Sequence, residues 1–238
     1  MRVAPSMNPQ NVANSLWAVA TLGWQAADVP MRCALEAAAV RVVPSMSAQD
    51  VANSLWAVAT LGWGANTETA AVFQQLVDAM FSGNGNLHRS TAHLSQLLLA
   101  HLASHFLGLG WITLPQPILH LAVNAYREQA QKVTVSSGQR EVRECLRRLG
   151  VSHELECITA DGLFSIHLAV VDRRIAIEFD GPSHFTRNTL EPLGHIRLRD
   201  RLLSAMGWKV VSIPFFDWDR LQQPAQMDAY VRQRLSQS

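Results

Sequence analysis

Apolar residues recur at helical spacing through two stretches of near-identical sequence. Pro5 to Trp24 reads PSMNPQNVANSLWAVATLGW and Pro44 to Trp63 reads PSMSAQDVANSLWAVATLGW. The copies are offset by 39 residues and differ only at Asn8/Ser47, Pro9/Ala48 and Asn11/Asp50. Val12, Leu16 and Val19, matched by Val51, Leu55 and Val58, make one helix face in each copy. Asn8 and Ser47 stand at N-cap positions, Pro9 suits a first helical turn, and Asp50 follows Ser47 in a capping-box arrangement. Gly23 and Gly62 end the two helices. A second helix is predicted after each, over Pro30–Val42 and Thr67–Met80. A degenerate third copy places Leu94–Leu102 against Val51–Ala59, with Pro117–Gln131 as its second helix. Hairpins repeating at this period need neighbours to stack against, which predicts an α-helical array over residues 1–131, in units of about 5–43, 44–83 and 87–131. Trp17 and Trp56 lie on an alanine-rich apolar helix and read as core, with stacking on bases as the alternative. Trp24, Trp63 and Trp111 each follow a glycine and read as packing over helix ends.

The pattern changes after a short linker, 132–137. Gly138–Gly150 is amphipathic, with Val142, Leu146 and Leu149 on one face and Ser136 or Ser137 as its cap. Two strands follow, His153–Ile158 and Leu163–Val171, parted by the turn signal Asp161-Gly162. A third strand carries Arg174-Ile175-Ala176-Ile177-Glu178-Phe179-Asp180 into Gly181-Pro182-Ser183-His184-Phe185. Then come a helix over Ile196–Met206 and a strand over Trp208–Ile213, closed by Pro214. Residues i and i+2 of a strand share a face, so Glu178 and Asp180 project together, with His184 in reach. Acids on a core strand need partners. A metal site, a buried ion-pair network and a polar binding surface all satisfy that need. The order α-β-β-β-α-β is the ground plan of the restriction-endonuclease-like fold.

The segments RRIAIEFDGPSHF and LRDRLLSAMGWKVVSIPFFDW resemble the RAP domain of organellar RNA-binding proteins, over about Ser137–Leu221 with the signature in 174–221. The fold class expected is therefore an N-terminal α-solenoid followed by a restriction-endonuclease-like α/β domain over 138–238. The helical units resemble octotricopeptide repeats through their length and the ANSLWAVATLGW helix. Hydrolytic relatives of the nuclease fold pair an upstream Asp with an acid-x-Lys, and the acids hold a divalent metal. Here the lysine position is Asp180 and the upstream Asp position is His167. Both departures lead us to expect a degenerate site at Glu178, Asp180, His167 and His184, with no catalytic residue, metal or cofactor assigned. A metal-dependent RNA endonuclease is the enzymatic alternative. A structural alternative has Glu178, Asp180 and His184 bonded to Arg174, Arg199 or backbone groups.

The resemblance implies single-stranded RNA as partner, with components of an organellar ribonucleoprotein as further company. It also implies a role in processing, stability or translation of mitochondrial or chloroplast transcripts. Helical-repeat readers address about one base per unit from equivalent positions. Asn14 and Asn53 recur at one such position, with Asn11 and Asp50 a turn earlier. Amides offer donor and acceptor to a base edge; bonding to loop backbones is the alternative. A protein-interaction scaffold is the third reading of the array. The net charge of +1 gives no overall basic surplus. The array holds five Lys/Arg against six Asp/Glu, and the remainder fifteen against thirteen. Arg143 and Arg147 share a helix face, and Arg197, Arg199 and Arg201 cluster, so phosphate contacts are expected there. Three cysteines, Cys33, Cys145 and Cys157, make neither a metal spacing nor an even set, which suits a reduced compartment. The apolar stretch Leu94–Leu114 contains histidines and aligns with the repeat, so no membrane span is expected. No transit peptide is visible, and Met1 leads straight into a repeat, so a fragment is expected.

Overall fold

A computed structural model describes residues 6–24, 29–82, 90–130 and 135–237. Two compact units emerge from it. The first takes in Met1–Tyr126 together with Glu191–Leu202, the second Arg127–Leu190 and Leu203–Ser238. Residues 131–134, which hold most of the expected linker, lie outside the described residues.

The first unit is a set of helical hairpins: α1 (Pro9–Thr21), α2 (Val29–Val42), α3 (Ala48–Leu61), α4 (Thr67–Ser82), α5 (Thr91–Phe106) and α6 (Gln116–Ala130). The first helices of successive hairpins pack on one another, α1 on α3 and α3 on α5. Local chemistry sets the helix starts. The Asn8 side chain accepts from the Asn11 amide at 2.8 Å, with Pro9 behind it. Ser47 and Asp50 form the full capping box. Gly62, at φ 72°, closes α3 in the left-handed region, a conformation that favours glycine. Ser47→Ala should cost about 1 kcal/mol, read as a lower midpoint in urea unfolding. Unchanged stability would show that the α3 start is held by packing alone.

The core follows the helical pattern, with one departure. Val12, Leu16, Val51, Leu55 and Val58 are buried, while Val19 is half-buried. The tryptophans split. Trp56, Trp63 and Trp111 are buried, and the Trp111 indole donates to the Trp63 carbonyl at 2.6 Å. Trp17 and Trp24 are exposed, which corrects the expectation that both would be covered. In the third hairpin the loop after α5 is latched by side chains. Gln74 bonds both the amide and the carbonyl of Thr113, and Ser104 Oγ accepts from the Trp111 and Ile112 amides.

The second unit opens with α7 (Ser137–Arg148), β1 (Glu154–Ile158), β2 (Ser165–Val170) and β3 (Ile175–Asp180). In chain order α8 (Gly194–Ala205), most of which belongs to the first unit, separates β3 from β4 (Lys209–Pro214), and α9 (Phe215–Trp218) and α10 (Pro224–Ser236) follow. The sheet order is β1-β2-β3-β4, antiparallel in the first two pairs and parallel in the last. The chain is therefore an N-terminal helical region followed by a mixed four-stranded α/β region in the expected order α-β-β-β-α-β.

Boundaries shift where side chains capture backbone groups. The second strand begins at Ser165 because Thr159 and Asp161 bond the Leu163 and Phe164 amides into a turn. Pro214 does not merely close β4; it pairs in register with Asp180 as the strand's last residue. Helix α10 extends the fold beyond the expected elements. It starts at a proline with Gln223 and Gln226 as its capping box.

One face of the sheet carries the core. Leu168, Val170, Ile175, Ile177, Val211 and Ile213 pack with Val142 and Leu146 of α7, Trp218 of α9, and Val231 and Leu235 of α10. A Cβ on Gly138 would lie 2.1 Å from the Phe179 ring. Gly138→Ala should therefore cost about 2 kcal/mol, measured by thermal unfolding; a neutral result would mean that the ring has room to retreat. Arg148 forks onto Asp228, joining α7 to α10, and Arg234 of α10 donates to the Ser212 carbonyl of β4 at 2.6 Å. Cys145 lies in this core, and burial pushes its thiol up to about 12. Exposed Cys33 should react with a thiol reagent at neutral pH in the folded protein, and Cys145 only after unfolding. Equal rates would contradict the packing.

Candidate functional site

Strand alternation sorts β3 into two sets. Ile175, Ile177 and Phe179 face the core, while Ala176, Glu178 and Asp180 face the other way. Both acids are nonetheless buried, at 2% and 3% exposure, so each needs a partner. Register supplies them. Leu168 pairs with Ile177, which brings His167 opposite Glu178. The His167 Nδ1 lies 3.0 Å from Glu178 Oε2 and accepts from the Phe179 amide at 3.2 Å. Nδ1 has a single lone pair, so accepting from the amide leaves the ring proton on Nε2.

Asp180 has two partners. His184 Nδ1 is 2.8 Å from Oδ1, and the Ser212 hydroxyl donates to Oδ2. Ser212 reaches it because β4 runs parallel to β3 with Glu178 paired to Ser212 and Asp180 to Pro214. His184 is returned toward its own strand by the 3-10 turn Pro182–His184, whose amide bonds the Gly181 carbonyl at 3.0 Å. Phe185, next in the chain, is anchored among Phe215 and Phe216. Thus the four residues Glu178, Asp180, His167 and His184 come together as two His–carboxylate pairs on neighbouring positions of one sheet face.

The donor set does not fit the oxygen-rich cation site of a hydrolytic nuclease. Both Asp180 oxygens face Ser212 and His184, Glu178 faces His167, and no lysine stands at the second acid. Among the described residues, no three His, Cys, Asp or Glu side chains converge as a metal-holding group. What the geometry does provide is a pair of imidazoles whose ring orientation is fixed by carboxylates.

Arg174 is not a partner of these acids. It takes the left-handed φ of 51° after a 3-10 turn, donates to the Met206 and Gly207 carbonyls, and stacks on Trp208 at 4.8 Å. Ser212 was missed from sequence because only the parallel register puts it beside Asp180.

Asn14 is exposed and Asn53 half-buried. The Asn53 Oδ1 accepts from Gln96 Nε2 at 2.9 Å. Gln96 aligns with Asn53 in the third repeat, so equivalent positions of α3 and α5 meet. The Asn11 backbone N–H donates to the Asn8 side chain, and Asp50 uses its carboxylate on Ser47. Arg143 is exposed; Arg147 is paired with Glu144 at 2.7 Å yet 70% exposed. In the first unit, Arg197 bonds the Pro192 carbonyl and Glu191. Arg201 donates to the Thr60 carbonyl at 3.0 Å, at the C-terminal end of α3, and burial lowers its pKa. Arg199 lies 3.9 Å from Asp200.

No helix among the described residues is long and apolar enough to cross a membrane. Residues 177–234, which include Glu178, Asp180, His184 and Ser212, match the RAP domain family. The chain is also 39% identical over 105 residues to a chloroplastic RAP domain-containing protein of Oryza sativa subsp. japonica, a match covering 44% of this chain and 16% of that protein.

Proposed function

We propose that this chain is an RNA-binding factor of a chloroplast or mitochondrion, in which an octotricopeptide-like helical array contacts single-stranded RNA and the RAP domain assists processing, stability or translation of transcripts. The observation that carries the reading is the meeting of equivalent amides on successive first helices, Asn53 with Gln96, with Asn14 at the same position of the preceding hairpin. A row of amides, one per hairpin, is the arrangement a helical-repeat reader needs to address successive bases. The chloroplastic relative supports the compartment. Exposed Arg143 and Arg147 on α7 supply phosphate contacts. The acids of β3, paired with His167 of β2 and His184 of the following turn, serve to hold the domain together rather than to hydrolyse RNA.

Fluorescence anisotropy with labelled single-stranded RNA tests this reading. Binding should weaken linearly on a log–log plot against salt. Asn14→Ala with Gln96→Ala should weaken it about fivefold or more with the helical fold retained by circular dichroism, on the scale of one or two lost base contacts. Absence of salt-dependent binding would remove the function; wild-type affinity in the double variant would remove the amide row. Incubation with magnesium or manganese should leave the RNA intact. Cleavage that disappears in both Glu178→Ala and Asp180→Ala would replace this reading with an endonuclease.

A further inference from the structure

In the second unit two arginines share one shallow concavity. It measures about 280 Å³ and is lined by Leu149, Val151, Arg173, Arg232, Leu235 and Ser236. All six belong to the second unit. The floor is an edge of that unit's core: Leu235 is buried in it, and Leu149 and Val151 pack against it. Arg173 comes from the 3-10 turn Val171–Arg173 between β2 and β3, and Arg232 from α10. Among the described residues no acid, aromatic ring or side-chain amide lines the space.

Neither Arg173 nor Arg232 makes a hydrogen bond, ion pair or ring contact with a described residue. Their neighbours are committed. Arg148 forks onto Asp228, Arg174 donates to the Met206 and Gly207 carbonyls, and Arg234 donates to that of Ser212. Asp228, one turn before Arg232, feels its charge but is taken by Arg148. The carbonyls at nearby helix ends are met from within their own helices. At the end of α7 the Gly150 and Val151 amides bond the Arg147 and Leu146 carbonyls, with Gly150 at φ 68°. At the end of α10 the Gln233 carbonyl takes the Ser236 hydroxyl at 2.8 Å. Two guanidiniums beside one apolar floor repel each other, and an anion shared by them reverses the sign of that interaction.

Size and lining narrow the ligand. The space lies below the roughly 300 Å³ at which pockets for whole small molecules begin, so it seats one residue. It offers a nucleobase neither a ring to stack on nor an amide for its edge. A branched aliphatic group suits Leu149, Val151 and Leu235. A carboxylate suits the planar forks of the arginines. The last residue of a chain carries both groups on one carbon when it is Leu, Ile or Val. We propose that this concavity captures the C-terminal residue of a partner protein, its aliphatic side chain on the floor and its carboxylate shared by Arg173 and Arg232. The rim is preset for capture. Arg174 pins the turn that bears Arg173 by stacking on Trp208 at 4.8 Å, and Asp228 and Arg234 tie α10 to α7 and β4. Anchored elements reduce the ordering cost of binding. The site is independent of whether the array binds RNA.

The test is fluorescence anisotropy of the full chain with pools of fluorescein-labelled peptides. Each pool has a Gly-Ser spacer, randomised positions and one fixed last residue. Pools ending in Leu, Ile or Val should bind saturably, and pools ending in Ser or Lys far more weakly. Amidation of the C-terminus should weaken binding about tenfold or more, and Arg173→Ala and Arg232→Ala should each do the same. Both arginines are exposed, so the two variants should keep the thermal midpoint of the wild type. Their affinity for labelled single-stranded RNA should also be that of the wild type, which separates this site from the RNA reading. Equal binding of free acid and amide would overturn the proposal. So would equal binding by the variants and the wild type, or no binding by any pool. Loss of RNA affinity in both variants without peptide binding would overturn it in favour of phosphate contacts at these arginines.

Discussion

Asp180→Ala is expected to lower the stability of the protein by about 3 kcal/mol. The carboxylate is 3% exposed and takes hydrogen bonds from Ser212 and His184. Removing it leaves two polar groups without their acceptor and opens space on the sheet. Asp180→Asn keeps the shape and one acceptor, so it should cost roughly half as much. A double-mutant cycle with Ser212→Ala should return a coupling above about 0.5 kcal/mol. Urea unfolding gives all of these as shifts of midpoint at constant slope. A loss below about 1 kcal/mol for Asp180→Ala would show that the pair sits on the strand without supporting it.

Trp218→Ala should be the most damaging single change in the second unit, at about 4 kcal/mol. Trp218 is 3% exposed, its ring meets Phe179 and Tyr230 edge-on, and its indole donates to Glu141 at 2.7 Å. It thus joins β3, α7 and α10 at one residue. Trp218→Phe retains most of the apolar contact but loses the donor, and should fall near about 2 kcal/mol. Glu141→Ala isolates the hydrogen bond at about 1 kcal/mol. Thermal unfolding followed by near-ultraviolet circular dichroism reports the tertiary loss directly. A Trp218→Ala variant that unfolds within a few degrees of the wild type would refute the placement of α9 at the centre of this packing.

The repeat was legible because its signals are local. Val12, Leu16 and the Asn8 cap lie within one helix, and so do Ser47 and Asp50. Local spacing also announced the acids of β3 and the turn that returns His184. What sequence does not encode locally is who stands next door. Trp17 and Trp56 have the same neighbours in the chain and opposite surroundings in space, so no reading of their helix alone separates them. Ser212 belongs to Asp180 through a parallel pairing across a crossover, and Gln96 meets Asn53 through the stacking of two hairpins. Helix α10 escaped because glutamines cap it where Ser, Thr, Asp or Asn would be sought.

The contact between Arg234 and the Ser212 carbonyl has a consequence for how the protein behaves in a crowd. Among the described strands, β4 is an edge of the sheet, with β3 on one side only. Carbonyls and amides along such an edge are a template on which a strand from another molecule can add. By donating into that edge, Arg234 occupies an acceptor that an incoming strand would need, and its bulk stands in the strand's path. Helix α10 therefore does more than complete the core: through Arg234 it caps an acceptor on the β4 edge.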